Sequence, residues 1–127
     1  MFVLESTYDG AGTVVEVLSL STSEAAVVGE ALKFTSGKAA KASTTTKPAY
    51  ISIQKVAAGA NKTVEAIAVR ADQVWLADYT STANPAVGAK YALDANGLNI
   101  NAASTDGTPA TVISVDTAKK KCRVKFE

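Results

Sequence analysis

Short apolar segments separated by turn-forming residues recur along most of this chain, and this spacing limits its possible folds more than any other feature. Asn96-Gly97 separates Lys90–Asp94 from Leu98–Ile100, and Asn-Gly supplies the positive φ that a tight β-turn requires. A second turn separates Ala110–Asp116 from Cys122–Phe126, which predicts a closing hairpin. Strand-length segments at such close intervals are typical of a β-sandwich or a β-barrel. The sequence therefore predicts an all-β fold.

Helix is expected to be a minor component. No stretch combines sustained apolar spacing of three and four with good helix caps. Ser21 or Ser23, with Glu24, could cap one short helix over Ala25–Phe34, although Gly29 and the neighbouring valines favour other structure. We predict at most this one helix.

The first 24 residues differ in composition from the rest of the chain. They are rich in Ser, Thr and Glu and contain a single apolar run, Val14–Leu20, which is typical of one strand. We predict that residues 1–24 form an extended N-terminal arm that orders only against a neighbour. Residues 25–127 are predicted to form the β-domain.

The composition excludes several kinds of reactive centre. The chain has no His and one Cys, so it lacks the commonest metal ligand, the usual proton carrier near neutral pH and a partner for a disulfide. His-dependent triads and His-containing zinc sites are thereby excluded. We expect no enzyme activity, catalytic residue, metal or cofactor. Cys122 alternates with Val124 and Phe126, which predicts a buried thiol on the apolar face of a strand.

No targeting or membrane segment is indicated. The first residues, MFVLESTYDG, contain neither a basic region nor an apolar run. No stretch approaches the roughly 20 apolar residues of a membrane span. We expect a soluble protein made in a cytoplasm, without a membrane partner.

Charge is segregated along the chain although the net charge is only +1. Up to Leu32 every charged side chain is acidic, and from Lys33 to Lys62 every one is a lysine. A third block is basic and comprises Lys119, Lys120, Lys121, Arg123 and Lys125. The near-neutral total argues against direct nucleic-acid binding as the main function. The blocks could form opposite faces that meet between copies, or acidic and basic strands could lie side by side within one domain.

A set of short segments after residue 25 carries a family resemblance. The segments are Val28-Gly29-Glu30-Ala31-Leu32, Gly37-Lys38-Ala39, the strand near Tyr50, Pro85–Asp94, Gly97-Leu98, Thr111–Asp116 and Val124-Lys125-Phe126. In order and spacing they resemble the small head decoration (capsid cement) proteins of tailed bacteriophages. The resemblance implies a compact β-barrel of the β-tulip or SH3-like kind, preceded by an extended N-terminal arm.

The same resemblance implies a function and its partners. A member of this family is a structural virion protein that binds the outer capsid surface and stabilises the shell of major capsid protein. The resemblance further implies homotrimers on the virion, synthesis in the host cytoplasm and no catalytic residues. The candidate contacts with the capsid or with another subunit come from the arm and the basic blocks. They are Glu5, Tyr8, Glu16, Lys38, Lys41, Lys121 and Arg123.

Two other functions remain open at this point. A β-rich phage tail or host-surface module would bind carbohydrate through Trp75, Tyr79 and loop hydroxyls, and a buried Trp75 would count against it. A small nucleic-acid-binding barrel would place Lys119–Lys125 on the phosphates.

Overall fold

The structure, a computed structural model, describes residues 1–7, 13–80, 82–104 and 109–127. Within these ranges the chain forms eleven strands joined by turns, and none of the described residues is helical. The prediction of an all-β fold is confirmed. The strands are β1 (Val3–Thr7), β2 (Val15–Ser19), β3 (Ala31–Thr35), β4 (Lys38–Lys41), β5 (Tyr50–Ser52), β6 (Thr63–Ala68), β7 (Gln73–Tyr79), β8 (Lys90–Tyr91), β9 (Asn99–Ile100), β10 (Ala110–Asp116) and β11 (Lys121–Phe126).

The strands assemble into two sheets. The first has the order β1-β7-β11-β10-β8, with β9 added in parallel to β7, and the second has the order β2-β6-β5-β3-β4. All other ladders between these strands are antiparallel. Such pairing allows one face of each sheet to pack on a core while the other face meets solvent.

The predicted β-barrel does not close among the described residues. The second sheet curls until its edge strands approach each other, and Leu20 forms one parallel bridge to Ala39. The contact ends there because β3 and β4 turn at Ser36 and Gly37, both with positive φ, so β4 does not continue alongside β2. A single bridge in place of a ladder leaves the second sheet open.

Two groups of buried side chains hold the sheets together. The larger group lies between the sheets, where the ring of Phe126 is 6.3 Å from Trp75 and 5.4 Å from Phe2 between centroids. The smaller group lies within the curl of the second sheet and includes Leu18, Leu20, Leu32 and Val64. Aromatic rings dominate the first group because each buries a large apolar area.

The closing hairpin forms as predicted. β10 and β11 pair from Ala110 with Phe126 to Asp116 with Lys121. Cys122, Val124 and Phe126 are buried on one face of β11. The thiol is therefore a small core side chain, which confirms the prediction from the alternation.

The predicted hairpin around Asn96-Gly97 forms only at its turn. Gly97 has a φ of +69°, the Asp94 N–H donates to Asn99 O at 2.9 Å, and Leu93 bridges Ile100. The strands on either side then separate, because β8 pairs with β10 whereas β9 pairs with β7. Neighbouring residues are enough to form the turn, whereas the partners of the two strands are β10 and β7, which lie elsewhere in the chain.

The N-terminal segment is not an extended arm in its described residues. β1 pairs with β7 and β2 pairs with β6, so residues on both sides of the predicted boundary at 24/25 belong to the same sheets. The Phe2 side chain is buried against the main core. This part of the arm prediction is wrong because it rested on local composition, whereas the pairing partners lie 44 to 73 positions away.

The one short helix that the sequence allowed, over Ala25–Phe34, does not form, which agrees with the prediction of at most one helix. Ala26 forms an antiparallel bridge with Val56, Gly29 has a φ of +81°, and β3 begins at Ala31. A positive φ at Gly29 is incompatible with a continuous right-handed helix.

Candidate functional site

Arg123 and Glu5, two of the predicted contact residues, meet on the outer face of the first sheet. Arg123 on β11 lies opposite Leu76 of β7, and Leu76 lies opposite Val3 of β1. The register of β1 shifts at Glu5, where a bulge redirects the side chain. As a result the Arg123 Nε donates to both carboxylate oxygens of Glu5 at 2.7 Å.

Lys121 takes part in a second ion-pair group on the same sheet. It lies directly opposite Asp78 in the β7–β11 ladder, and its Nζ is 2.6 Å from Asp78 Oδ1. The N-terminal ammonium of Met1 is 3.1 Å from Asp78 Oδ2. Burial opposes ionisation of Asp78, but the hydrogen bonds from Lys121 and the ammonium outweigh it, so the pKa of Asp78 is lowered. Of the two groups, only the Glu5–Arg123 pair joins the acidic N-terminal segment to the basic block, because Asp78 lies outside both.

A cavity of about 250 Å³ with a mixed polar and apolar lining adjoins these ion pairs. Its lining combines Lys119, Lys121 and Arg123 with Ser114 and Asp116. Because Asp78 and Glu5 neutralise Lys121 and Arg123, this wall does not offer two unpaired cations to a phosphate. That arrangement disfavours the nucleic-acid interpretation of the basic strand.

The other predicted contacts lie on the second sheet, away from Glu5. Glu16 accepts a hydrogen bond from the Tyr50 hydroxyl, and this bond raises the pKa of Tyr50. The Phe34 ring packs edge-on against Tyr50 at 5.5 Å between centroids. Lys38 and Lys41 lie on β4. The structure thus divides the predicted residues between two sheets, and Tyr8 lies outside the described residues.

An apolar groove lies where β1 approaches the second sheet. Its volume is about 230 Å³, below the ~300–1,000 Å³ typical of small-molecule pockets. A space of this size suits a side chain of another protein better than a cofactor. The groove is lined by Met1, Phe2, Val3, Leu4, Val28, Gly29, Ile51, Ser52, Ile53, Ile67 and Trp75.

The mouth of this groove is rimmed by exposed hydrophobic side chains. Met1, Val3, Val28 and Ile53 all belong to the exposed large hydrophobics of the described chain. Exposed apolar side chains that converge on one concavity mark interaction sites, whereas isolated ones are ordinary. We did not predict this site, because its four rim residues come from three separate segments and show no common local pattern.

Gly29 allows the N-terminus to lie against this groove. The Phe2 N–H donates to Gly29 O at 3.0 Å, and the Gly29 N–H donates to Ser52 O at 2.7 Å. A Cβ at Gly29 would overlap the Met1 side chain. The absence of a side chain at this position therefore lets three segments meet at the groove.

The aromatic residues named for a carbohydrate site are not available on the surface. Trp75 has 0% relative exposure and Tyr79 is also buried. The Tyr79 hydroxyl donates to Asn84 Oδ1 at 2.8 Å, which occupies its polar end. The patch predicted around Trp75 and Tyr79 is therefore absent, and the finding counts against the carbohydrate alternative.

No three potential metal-ligating side chains of His, Cys, Asp or Glu cluster within the described ranges. The same ranges contain no helix with the length and hydropathy needed to cross a membrane. No family model, curated protein or solved structure matches the chain.

Proposed function

We propose that this chain is a structural virion protein that binds the outer surface of a phage capsid and stabilises the shell of major capsid protein. The single observation that carries the proposal is the apolar groove with its exposed rim of Met1, Val3, Val28 and Ile53. Binding to a protein surface would remove these side chains from water. The resemblance to capsid decoration proteins supplies the identity of the partner.

The chemistry of the groove supports a binding role. Its floor includes Trp75 and Ile51, which are fixed in the main core, while the rim is open. A rigid apolar floor with an exposed rim can accept a partner side chain without reorganisation. The nearby charged pairs Glu5–Arg123 and Lys121–Asp78 are already satisfied within the chain. Polar residues at the rim of an interface typically fix orientation more than they add affinity.

A binding experiment with matched valine variants tests the proposal. Val28 lies on the groove rim, whereas Val87 is exposed and lies outside the groove lining. Val28→Asp should lower occupancy on capsids assembled from the major capsid protein of the same phage, because a carboxylate would have to be desolvated. Val87→Asp should bind like the unmodified chain. Circular dichroism and the Trp75 emission spectrum verify that both variants are folded.

Two outcomes would contradict the proposal. Equal occupancy of the Val28 and Val87 variants would remove the groove from the contact. No binding of the unmodified chain to these capsids, measured by co-sedimentation, would remove the capsid as partner.

A further inference from the structure

The strand β2 is an edge of the second sheet and carries exposed valines. Its inner neighbour is β6, with Val15 opposite Ile67 and Val17 opposite Glu65. Val14, Val15 and Val17 are all exposed. Proteins usually protect such an edge with Lys, Pro or a covering segment, and an apolar edge invites another strand.

The hydrogen bonds of β2 reveal which backbone groups face outward. The Ala68 N–H donates to Val14 O at 3.0 Å, and the Leu20 N–H donates to Lys62 O at 2.9 Å. Since hydrogen-bonded and non-hydrogen-bonded pairs alternate in an antiparallel ladder, the even-numbered residues from 14 to 20 face β6. The backbone groups of Thr13, Val15 and Val17 consequently point away from β6. No strand of the described chain pairs with them on that side.

The other edge strand, β4, covers only the far end of β2. The Ser21 N–H donates to Ala39 O at 2.9 Å, next to the parallel bridge of Leu20 with Ala39. Because the bridge is parallel, the chain that runs back from Leu20 toward Val15 lies beside the chain that runs back from Ala39 toward the Ser36-Gly37 turn, where β4 begins. The part of β2 around Val15 is therefore left open by β4.

The sequence of this edge is compatible with a second copy of itself. Glu16 is the one charged residue of β2, and its carboxylate is bonded by Tyr50 on the face opposite to Val15 and Val17. In an antiparallel pair with Val15 opposite Val15 of the second copy, Glu16 lies opposite Val14. Like charges therefore do not meet across the pair. Val15 packs beside Val15 of the second copy, and Val17 lies opposite Thr13. The outward-facing backbone N–H and C=O groups of Val17 in one copy would also hydrogen-bond to those of Thr13 in the other.

We propose that two copies of this chain associate by antiparallel pairing of their β2 strands about a two-fold axis at Val15. The pairing joins two second sheets into one continuous sheet. It is self-complementary, so it closes at a dimer. Because a strand edge buries little area, the dimer should be weak and depend on protein concentration. The proposal is independent of capsid binding, which uses the groove around Val28.

Charge substitutions at the axis provide a direct test by sedimentation equilibrium. Val15→Lys and Val15→Glu each place like charges opposite each other across the axis. We expect each variant to raise the dissociation constant of the dimer at least about tenfold, equivalent to about 1.4 kcal/mol. Val87→Lys is the matched control, since Val87 has 65% relative exposure and lies outside this edge. It should dimerise like the unmodified chain.

An equimolar mixture of the two Val15 variants gives the decisive measurement. Opposite charges would then face each other, and association should return as a dimer with one copy of each variant. Restored association also shows that neither variant is merely misfolded. The proposal is overturned if the unmodified chain is a monomer at all concentrations or a trimer, as the family resemblance implies. It is equally overturned if the Val15→Lys variant still dimerises, or if the mixture fails to associate.

Discussion

Arg123 donates from its Nε to both carboxylate oxygens of Glu5, at 2.7 Å each, although the two residues are 118 positions apart in the chain. The ion pair crosses β7 and ties the edge strand β1 to β11. Its position explains part of the charge segregation in the sequence, because an acidic and a basic segment meet in one domain.

Removal of this ion pair should have a small, measurable effect on stability. Since Arg123 and Glu5 are partly exposed, Arg123→Ala or Glu5→Gln should lower the free energy of unfolding by about 0.5 kcal/mol and by no more than about 1 kcal/mol. Urea denaturation of both single variants and the double variant would isolate the pairwise energy. That energy should fall in high salt. If the free energy of unfolding falls in the double variant by the sum of the two single-variant decreases, the ion pair has no pairwise energy and the prediction is wrong.

Glu30 should make stability fall as the pH rises. Its side chain is 4% exposed, and its Oε1 has no hydrogen-bond partner within the described chain. Burial raises the pKa of Glu30 from 4.5 to about 7, against the opposing charge of Lys41. Because the folded chain then holds this proton more tightly than the unfolded chain, its contribution is complete below about pH 4.5 and is lost as the pH approaches 7.

The variant Glu30→Gln isolates this contribution. It should remove the part of the stability loss that occurs between pH 4.5 and about 7. At pH 8 it should be more stable than the unmodified chain by on the order of 2 kcal/mol. Urea denaturation at pH 5 and pH 8 measures both effects, with Glu65→Gln as a control at an exposed glutamate of β6. An unchanged pH dependence in Glu30→Gln would exclude Glu30 as the source.

Gly97 and Gly37 offer a comparison between backbone strain and steric overlap. Both have positive φ, +69° and +76°, but a Cβ at Gly97 would lie 2.8 Å from Ala42 O, whereas a Cβ at Gly37 would meet nothing within 4 Å. Gly37→Ala should cost about 1 kcal/mol from strain. Gly97→Ala should cost about 2 kcal/mol more because backbone must move. Thermal unfolding of both variants checks the order, and equal losses would contradict it.

Cys122 should be unreactive in the folded protein. Burial, with a smaller contribution from the charge of Asp78, raises the pKa of its thiol to about 12. A disulfide reagent at pH 8 should therefore react only as the chain unfolds, since thiolate and access are both lacking in the native state. The reaction of the single Cys with time, with and without urea, measures this. Rapid labelling in the absence of urea would show that the Cys122 face of β11 opens locally.

The elements predicted from sequence are those with local causes. The alternation of Cys122, Val124 and Phe126 places three side chains on one face of a strand, and a short turn pairs that strand with β10. Asn96-Gly97 likewise forms its turn. The short helix that the sequence allowed over Ala25–Phe34 does not form, because Gly29 takes a positive φ and hydrogen-bonds to Ser52 and Phe2, a requirement that arises between segments.

The candidate sites also combine features that the local sequence predicts with features that depend on contacts between distant segments. Charge blocks were visible in the sequence, but the bulge that directs Glu5 to Arg123 depends on the register of β1 against β7. The groove was not predicted, since Val3, Val28 and Ile53 gather only when the two sheets pack. The open edge at Val15 follows from the point at which β4 turns away.

The sequence by itself determined the all-β class, the closing hairpin and the burial of Cys122, because side-chain alternation and turn residues act over a few neighbouring positions. Only the tertiary structure decided that the N-terminal residues contribute strands to both sheets and that the second sheet stays open. It also decided that an apolar groove lies beside β1. These features depend on contacts between distant segments, whose pairing is selected by the packing of the whole core rather than by any local pattern.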